Sequence, residues 1–412
     1  MKRRKNIRIG YHDERAGQLV KNRVRQISAS MLSSKIVVAA LLLPFFKSSF
    51  YDYLGSLGTI SNSMLVVETV FFAGLFLLAG YRSRFVVCLA VYFAWSCFLA
   101  PVLSGFTSPS TFYLYEGLGF TLFVLLGVKS SGLSFINNLS AFFCAASLLN
   151  FLMLIAYPNG FISTLNGAVW LFGIRTGFPY VLMPAICFCT LYDSVRGRGT
   201  LSIRTFVTIG VAFVSIVAQW VATGLLELTV YFALFAWVCL RKKIGIRFGA
   251  LVIAVLGVLV VAAGPSTYIG EWLNLLGKDA TFTGRTDIWA AAIADIAHYP
   301  LFGCGGIEYV IVNEEVKAFH CLWLSVAHES GLIGLALYCL SFIAAIQCLH
   351  KRTRVPAAML NGIALLAILA ASIVEIQSYF PFIYGVLAFG ELIATEREIF
   401  DESTIPVIMK VR

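Results

Sequence analysis

Apolar residues in this chain come in blocks, with the polar residues gathered between them. The blocks cover 33–50, 62–80, 85–104, 111–128, 135–157, 178–194, 204–221, 223–240, 247–264, 323–349, 356–376 and 378–394. Each is near the roughly 20 residues that an α-helix needs to span a bilayer, so the pattern predicts an all-α polytopic membrane protein with about twelve transmembrane helices. The first block is the weakest, because Pro44 and Lys47 interrupt it, and the pair at 204–240 has almost no loop. Composition agrees with the pattern. The chain is 59% hydrophobic and 13% charged, whereas a soluble domain is near half apolar and about a quarter charged. The basic stretch 1–32 is long for the leading region of a signal peptide, and no small-residue cleavage site follows LLLPFF. The first block therefore reads as an uncleaved helix behind a basic leader.

Lysine and arginine then orient the chain. With the N-terminus inside, the cytoplasmic segments are 1–32, 81–84, 129–134, 195–203, 241–247, 350–355 and 395–412. Together with Arg204 they hold 25 of the 31 Lys and Arg, as the positive-inside bias requires. The expected order is a cytoplasmic leader (1–32), nine spans (33–264), a long external loop (265–322), three spans (323–394) and a cytoplasmic tail (395–412). The net charge of +10 is then mostly topology and gives no case for nucleic acid. Only two arginines are left outside, Arg175 and Arg285, and Arg285 belongs to the long loop. A loop of this length in a compact protein is usually functional or disordered, and Trp272, Trp289 and Phe302 argue against disorder.

Within that loop, TDIWAAAIADIAHYP carries the start and stop signals of a helix. Thr283 or Thr286 can cap it, Asp287 sits in its first turn and Pro300 ends it. Its composition suits a helix lying on a surface and not a crossing one. Arg285 thus stands just ahead of a helix N-terminus, where free N–H groups and the helix dipole favour an anion. A guanidinium there adds a fork that matches phosphate oxygens, and Gly284 removes bulk beside it. Pairing with Asp287 or a lipid headgroup is the plainer alternative. The loop ends in KAFHCLWLSVAHESGLIGL, which supplies His320, His328 and Glu329. Histidine is the side chain best able to exchange a proton near neutral pH. Glu68, Glu116, Glu227 and Glu375 fall within the outer halves of apolar blocks. Ionisable residues there are functional candidates, and together they suggest a polar cavity opening outward that holds sugar hydroxyls; helix–helix hydrogen bonding is the alternative. Glu391 falls toward the inner side.

The run from TGRTDIW through PLFGCGG to His320 and HESGLIGL resembles the O-antigen ligase and O-antigen polymerase superfamily of bacterial envelope enzymes. That family's S/T-G-R-x-x-x-W motif corresponds to Thr283, Gly284, Arg285 and Trp289. Its P-x-x-G-x-G turn corresponds to Pro300, Gly303 and Gly305, and its E-x-G-L-I-G segment to Glu329, Gly331, Leu332, Ile333 and Gly334. The resemblance is specific over about 280–336 and topological elsewhere, the family having twelve spans, both ends inside, and its long loop between spans nine and ten. Cys321 stands where the family has asparagine after the histidine, and His328 where an apolar residue is common. A second family arginine near the eighth span has no counterpart in QWVATGLLEL, while Arg175 in FGIRTGFPY is similar to an external arginine before the sixth span.

The resemblance implies transfer of a glycan from a polyprenyl-diphosphate donor to an acceptor sugar hydroxyl, with inversion, without a metal and without a cofactor. It places the protein in the bacterial cytoplasmic membrane with its site facing the periplasm or exterior. The implied partners are a lipid-linked donor, a lipid-linked or lipid-A-core-type acceptor, and a chain-length regulator. On this reading Arg285, with Arg175, Gly284 and Thr286, binds the diphosphate, and His320 is the base with His328 or Glu329 in reserve. Glu68, Glu116, Glu227, Glu375, His328, Glu329 and Trp289 are candidates for holding the acceptor or its sugars. A polymerase of O-antigen, capsule or exopolysaccharide is favoured over a ligase. A transporter of lipid-linked sugars fits less well, because no internal repeat is visible. No D-x-D motif or zinc-type His/Cys spacing appears. The cysteines lie mostly in apolar blocks, and Cys304 and Cys321 could pair outside the cell.

Overall fold

The computed structural model describes residues 2–46, 56–105, 111–164, 167–241, 243–263, 285–305, 309–312 and 315–406. The chain is mostly helical, and each of the twelve apolar blocks falls on a helix. Among the described residues, six helices are long and apolar enough to cross a membrane: Gly58–Leu78, Arg84–Leu103, Leu133–Ala156, Arg175–Val195, Ala222–Arg241 and Leu322–Lys351. A seventh span arises if the pair Gly17–Ser33 and Lys35–Phe46, bent by 86°, counts as one. The interruption at Pro44 has a structural counterpart, since the helix Lys35–Leu42 gives way to a 3₁₀ turn at Pro44–Phe46. Four shorter apolar helices accompany these, Ile203–Ala218, Ile246–Val261, Pro356–Ala371 and Phe382–Thr395. A 16-residue helix rises only about 24 Å, less than the roughly 30 Å hydrocarbon core.

Packing sorts the helices by depth within the bundle. The helix ending at Val195 is buried over 89% of its apolar window, whereas Gly58–Leu78 and Ala222–Arg241 are buried over 33%. It is enclosed by Leu133–Ala156, Ile203–Ala218, Pro356–Ala371 and Phe382–Thr395. Phenylalanines fill the centre: Phe382 lies 4.7 Å from Phe46 and 4.9 Å from Phe143, ring centre to ring centre. Such edge and tilted contacts suit the ring quadrupole.

Basic residues cluster with the connections at one end of the bundle. Arg25 of the leader helix Lys2–Ser33 donates to the Ala79 carbonyl at 3.1 Å and lies over Tyr81. Lys129 pairs with Glu396 at 2.6 Å, Arg352 pairs with Asp401, and Arg204 donates to Ser140 Oγ at 2.5 Å. Glu391 belongs to this end, where it accepts from Ser83 Oγ at 2.8 Å and Phe85 N at 2.9 Å. It thereby satisfies an orphan donor at the start of the helix Arg84–Ala94.

Two features depart from an all-α reading. A three-stranded antiparallel sheet (Ile162–Thr164, Gly167–Trp170, Gly173–Ile174) follows the helix Leu133–Ala156, and a hairpin (Tyr309–Val312, Glu315–Ala318) lies in the long loop. The YVIV run is short and rich in β-branched residues, which favours a strand over a helix. The second feature is a break in the helix Leu322–Lys351 at Gly331, whose φ of 68° and ψ of −177° are outside helical space. Only glycine adopts such a backbone readily, and a Cβ there would collide with the Leu301 carbonyl.

The break removes helical partners from the preceding carbonyls, and the long loop replaces them. Cys304 N donates to His328 O at 2.6 Å, Gly305 N to Glu329 O at 2.9 Å, and Leu332 N to Pro300 O at 2.8 Å. Trp95 Nε1 donates to Ser330 O at 2.8 Å from a π-helical turn at Trp95–Leu99. The P-x-x-G-x-G and E-x-G segments are thus two halves of one backbone joint. Gly331→Ala is expected to destabilise this joint by about 3 kcal/mol or more, from the strained φ/ψ and the clash. A lowered melting temperature with faster proteolysis of the 285–320 segment checks this; a wild-type melting curve and digestion rate would refute the joint.

Candidate active site

The loop helix Arg285–His298 begins at Arg285 and docks through one face. Ile288, Trp289 and Ala292 are buried, and Trp289 Nε1 donates to the Phe319 carbonyl at 2.9 Å. Trp289 is 1% exposed, so it anchors the helix beside the histidine and offers no open ring for a sugar. His320 follows at a φ of 49°, a left-handed conformation uncommon for a side-chain-bearing residue. Leu322 N then bonds Ser372 O at 3.1 Å, bringing the start of the next helix against the turn at 372–376.

That turn carries Glu375, which joins the other two groups. His320 Nδ1 lies 3.2 Å from Glu375 Oε1, and Arg285 Nη2 lies 3.5 Å from Glu375 Oε2. Arg285 Nη1 also donates to the Val374 carbonyl, and Ile376 N reaches Glu375 Oε1 at 3.4 Å. Tyr180, in the first turn of the buried central helix, also favours the ionised form of this carboxylate. Burial would raise the Glu375 carboxyl, but His320, Arg285 and Tyr180 outweigh it and hold it below the ordinary carboxylate value. The carboxylate side chain is 4% exposed, while His320 is 39% exposed and Arg285 19%. A buried anion therefore orients two groups that still reach solvent.

Glu375, a candidate sugar ligand from the sequence, is thus paired with His320 and Arg285. His328 lies elsewhere, buried, with Nε2 3.1 Å from Asp295 Oδ2 and its ring 4.6 Å from that of Phe319. Glu329 accepts from Ser325 Oγ at 2.6 Å. Arg175 is exposed in a 3₁₀ turn at Arg175–Gly177, five positions before Tyr180. Gly284 and Thr283 lie outside the described residues, as does the side chain of Thr286. The remaining carboxylates have surroundings of their own. Glu68 lines a separate groove of about 540 Å³ with Leu41, Met64, Val67 and Phe71. Glu116 precedes Gly117, which packs on Tyr384. Glu227 is fully buried, with both oxygens lacking a hydrogen-bond partner among the described residues. Similar depth along a helix does not fix the direction a side chain faces, and these helices turn their glutamates to different neighbours.

Tyr180 and the Val374 carbonyl were not visible in the sequence. Tyr180 carries a weak signal, a phenol in FGIRTGFPY just inside a helix mouth, but nothing in the spacing couples it to residue 375. The described residues contain no group of three or more His, Cys, Asp or Glu arranged to hold a metal ion.

A family model described as O-antigen ligase matches residues 206–339. That stretch contains Arg285, the turn at 300–305, His320 and the break at Gly331, and it stops short of Glu375. The match covers about a third of the chain and agrees with the resemblance read from its motifs. No curated protein matches the chain.

Cys304 and Cys321 are free and buried, contrary to the pairing considered above. Burial pushes both thiols up to about 11, with Asp295 adding to the effect at Cys304. Thiols held so high are unreactive at neutral pH. All 10 cysteines are therefore expected to titrate as free thiols in denaturant without reductant. A mass shift two labels short would establish a disulfide instead.

Proposed function

We propose that this chain is a glycan polymerase. It transfers polyprenyl-diphosphate-linked oligosaccharide or polysaccharide to a sugar hydroxyl on a lipid-linked repeat unit at the outer face of a bacterial cytoplasmic membrane. The observation that carries this reading is the convergence of Arg285, His320 and Glu375 from three separate segments onto one solvent-reaching point. A guanidinium, an imidazole and an orienting carboxylate are the groups that displacement of a diphosphate by a hydroxyl requires.

In the proposed step, His320 donates its Nδ1–H to Glu375, which leaves Nε2 as the acceptor for a proton. This is the tautomer logic of a carboxylate-oriented base. The acceptor hydroxyl oxygen attacks the anomeric carbon as its proton passes to Nε2. The bond from that carbon to the diphosphate oxygen breaks, and the electron pair leaves with the diphosphate. Arg285 meets the charge that grows there, with Arg175 approaching from its exposed turn. A single displacement inverts the anomeric centre. The leaving-group charge is carried by guanidinium in this scheme, so no metal enters any step. The leader and tail are placed on the cytoplasmic side by their basic residues.

The deciding experiment uses purified protein in detergent with polyprenyl-diphosphate-linked repeat units extracted from its host. A ladder of lengthening glycans is expected. Product only after addition of a different terminal acceptor would make the enzyme a ligase, and no covalent product with any acceptor would return the transporter reading. In the same assay Arg285→Ala is expected to lower turnover by about 10²–10³-fold, with little rescue by lysine. His320→Ala is expected to lower it by about 10²–10⁴-fold with donor KM nearly unchanged. Wild-type turnover in either variant removes the role assigned to that residue.

A further inference from the structure

The basic leader forms a helix that stays out of the bundle. Gly17–Ser33 meets Lys35–Phe46 at a bend of 86°. The second member of the pair runs inward, with Val38, Leu42, Phe45 and Phe46 in the core. The first therefore runs across the end of the bundle, and it is tied there to two connections. Arg25 donates to the Ala79 carbonyl at 3.1 Å and the stem of Lys21 lies over Gly80, in the turn that follows Gly58–Leu78. Ser131 Oγ donates to the Ala29 carbonyl at 3.0 Å and Asn138 Nδ2 to the Ser33 carbonyl at 2.9 Å, around the turn that opens Leu133–Ala156. The helix is a strap across the connections where basic residues gather.

These ties use one face. Ser28 and Leu32 are fully buried, and Val24 and Met31 partly so. A second face stays open: Leu19 is 66% exposed, Val20 52% and Ile27 55%, with exposed Arg23 among them. At about 100° per residue this face lies about a third of a turn from the first. On a helix lying across the bundle end, the buried face points into the bundle along the membrane normal. The open face then looks sideways, into the headgroup layer beside the protein, and not outward to water. Aliphatic side chains gain from leaving water there. Arg23 can lay its stem along that boundary while its guanidinium meets a phosphate. The charge is one-signed as well. Gly17–Ser33 holds Lys21, Arg23 and Arg25 and no acidic residue, and MKRRKNIRIG ahead of it adds charge of the same sign.

We infer that the leader helix is a binding surface for anionic phospholipid, in the leaflet at the basic end of the bundle. Leu19, Val20 and Ile27 enter the boundary between headgroups and acyl chains, and Arg23 pairs with a lipid phosphate. A basic segment is drawn to an anionic leaflet by charge, and the apolar face gives the contact depth. The strap thereby links lipid headgroups to the turns that open Arg84–Ala94 and Leu133–Ala156. This surface is independent of the transfer chemistry proposed at the other end of the chain's fold.

The test places the purified full-length protein in lipid nanodiscs, one copy per disc, made of phosphatidylcholine alone or with phosphatidylglycerol of the same acyl chains. Backbone hydrogen exchange is followed in peptides covering 17–33. Exchange is expected to slow about fivefold or more in the phosphatidylglycerol discs, the scale of one basic residue at an anionic surface. The buried helix ending at Val195 should exchange alike in both. Arg23→Gln is expected to lose most of the lipid-dependent slowing, Ile27→Gln to lose part of it, and high salt to remove most of it in wild type. Equal exchange in the two lipids, or full slowing retained in Arg23→Gln, would overturn the inference. Slowing that appears only in detergent and grows with protein concentration would also overturn it, and would make the open face a contact between copies of the chain.

Discussion

Everything at the loop-bearing end depends on how a broken helix has its backbone satisfied. Gly331 interrupts a 30-residue helix, and the carbonyls of His328, Glu329 and Ser330 receive donors from Cys304, Gly305 and Trp95. In an apolar surround an unmatched backbone group costs several kcal/mol, so the break can persist only while the loop is docked. The reverse also holds. The loop turn at Gly303 fits because Gly331 has no side chain, and a Cβ on Gly303 would strike the backbone of Gly331. Break and loop therefore form together, and with them the placement of His320 at one end of the joint and Arg285 at the other.

A second constraint is the charge balance at Glu375. A carboxylate this buried is unfavourable alone, and here a guanidinium and an imidazole lie against it and favour its ionised form. Those partners are 35 residues apart, Arg285 at the start of the loop helix and His320 just before the kinked helix. The Leu322–Ser372 bond and the Trp289–Phe319 bond set the distances among them. The interaction is thus as much a specification of geometry as a source of stability. His328 and Asp295 do comparable work nearby, tying the loop helix to the segment just before the break.

The helices were legible in the sequence because apolar blocks of bilayer length are a strong signal. Arg285 and His320 were legible because they are exceptions, a guanidinium and an imidazole in a loop where basic residues are scarce. Glu375 was visible as an ionisable residue in an apolar block, yet its partners were not. Periodicity gives the depth of a residue along its own helix and says nothing about which neighbour that helix turns toward it. The same gap explains why Glu68, Glu116 and Glu227 looked equivalent to Glu375. The hairpin at 309–318 was missed for another reason: its strands are four residues long, below the length at which alternation separates from a short apolar run.

Glu375 also shows why a site of this kind can be quiet without substrate. Arg285 donates to the Val374 carbonyl and pairs with the Glu375 carboxylate, which engages the same N–H donors that would serve a phosphate oxygen. In the proposed mechanism a dianionic diphosphate competes for Arg285 with one carbonyl and a shared carboxylate at 3.5 Å. A neutral sugar hydroxyl does not. Lipid or glycan lacking the diphosphate would then leave Arg285 latched, with its guanidinium drawing on the carboxylate that His320 needs. In that mechanism, engagement of the donor leaves Glu375 to act on the imidazole alone. The carboxylate that joins Arg285 and His320 in the structure is then, on the proposed reading, the group that prepares the base.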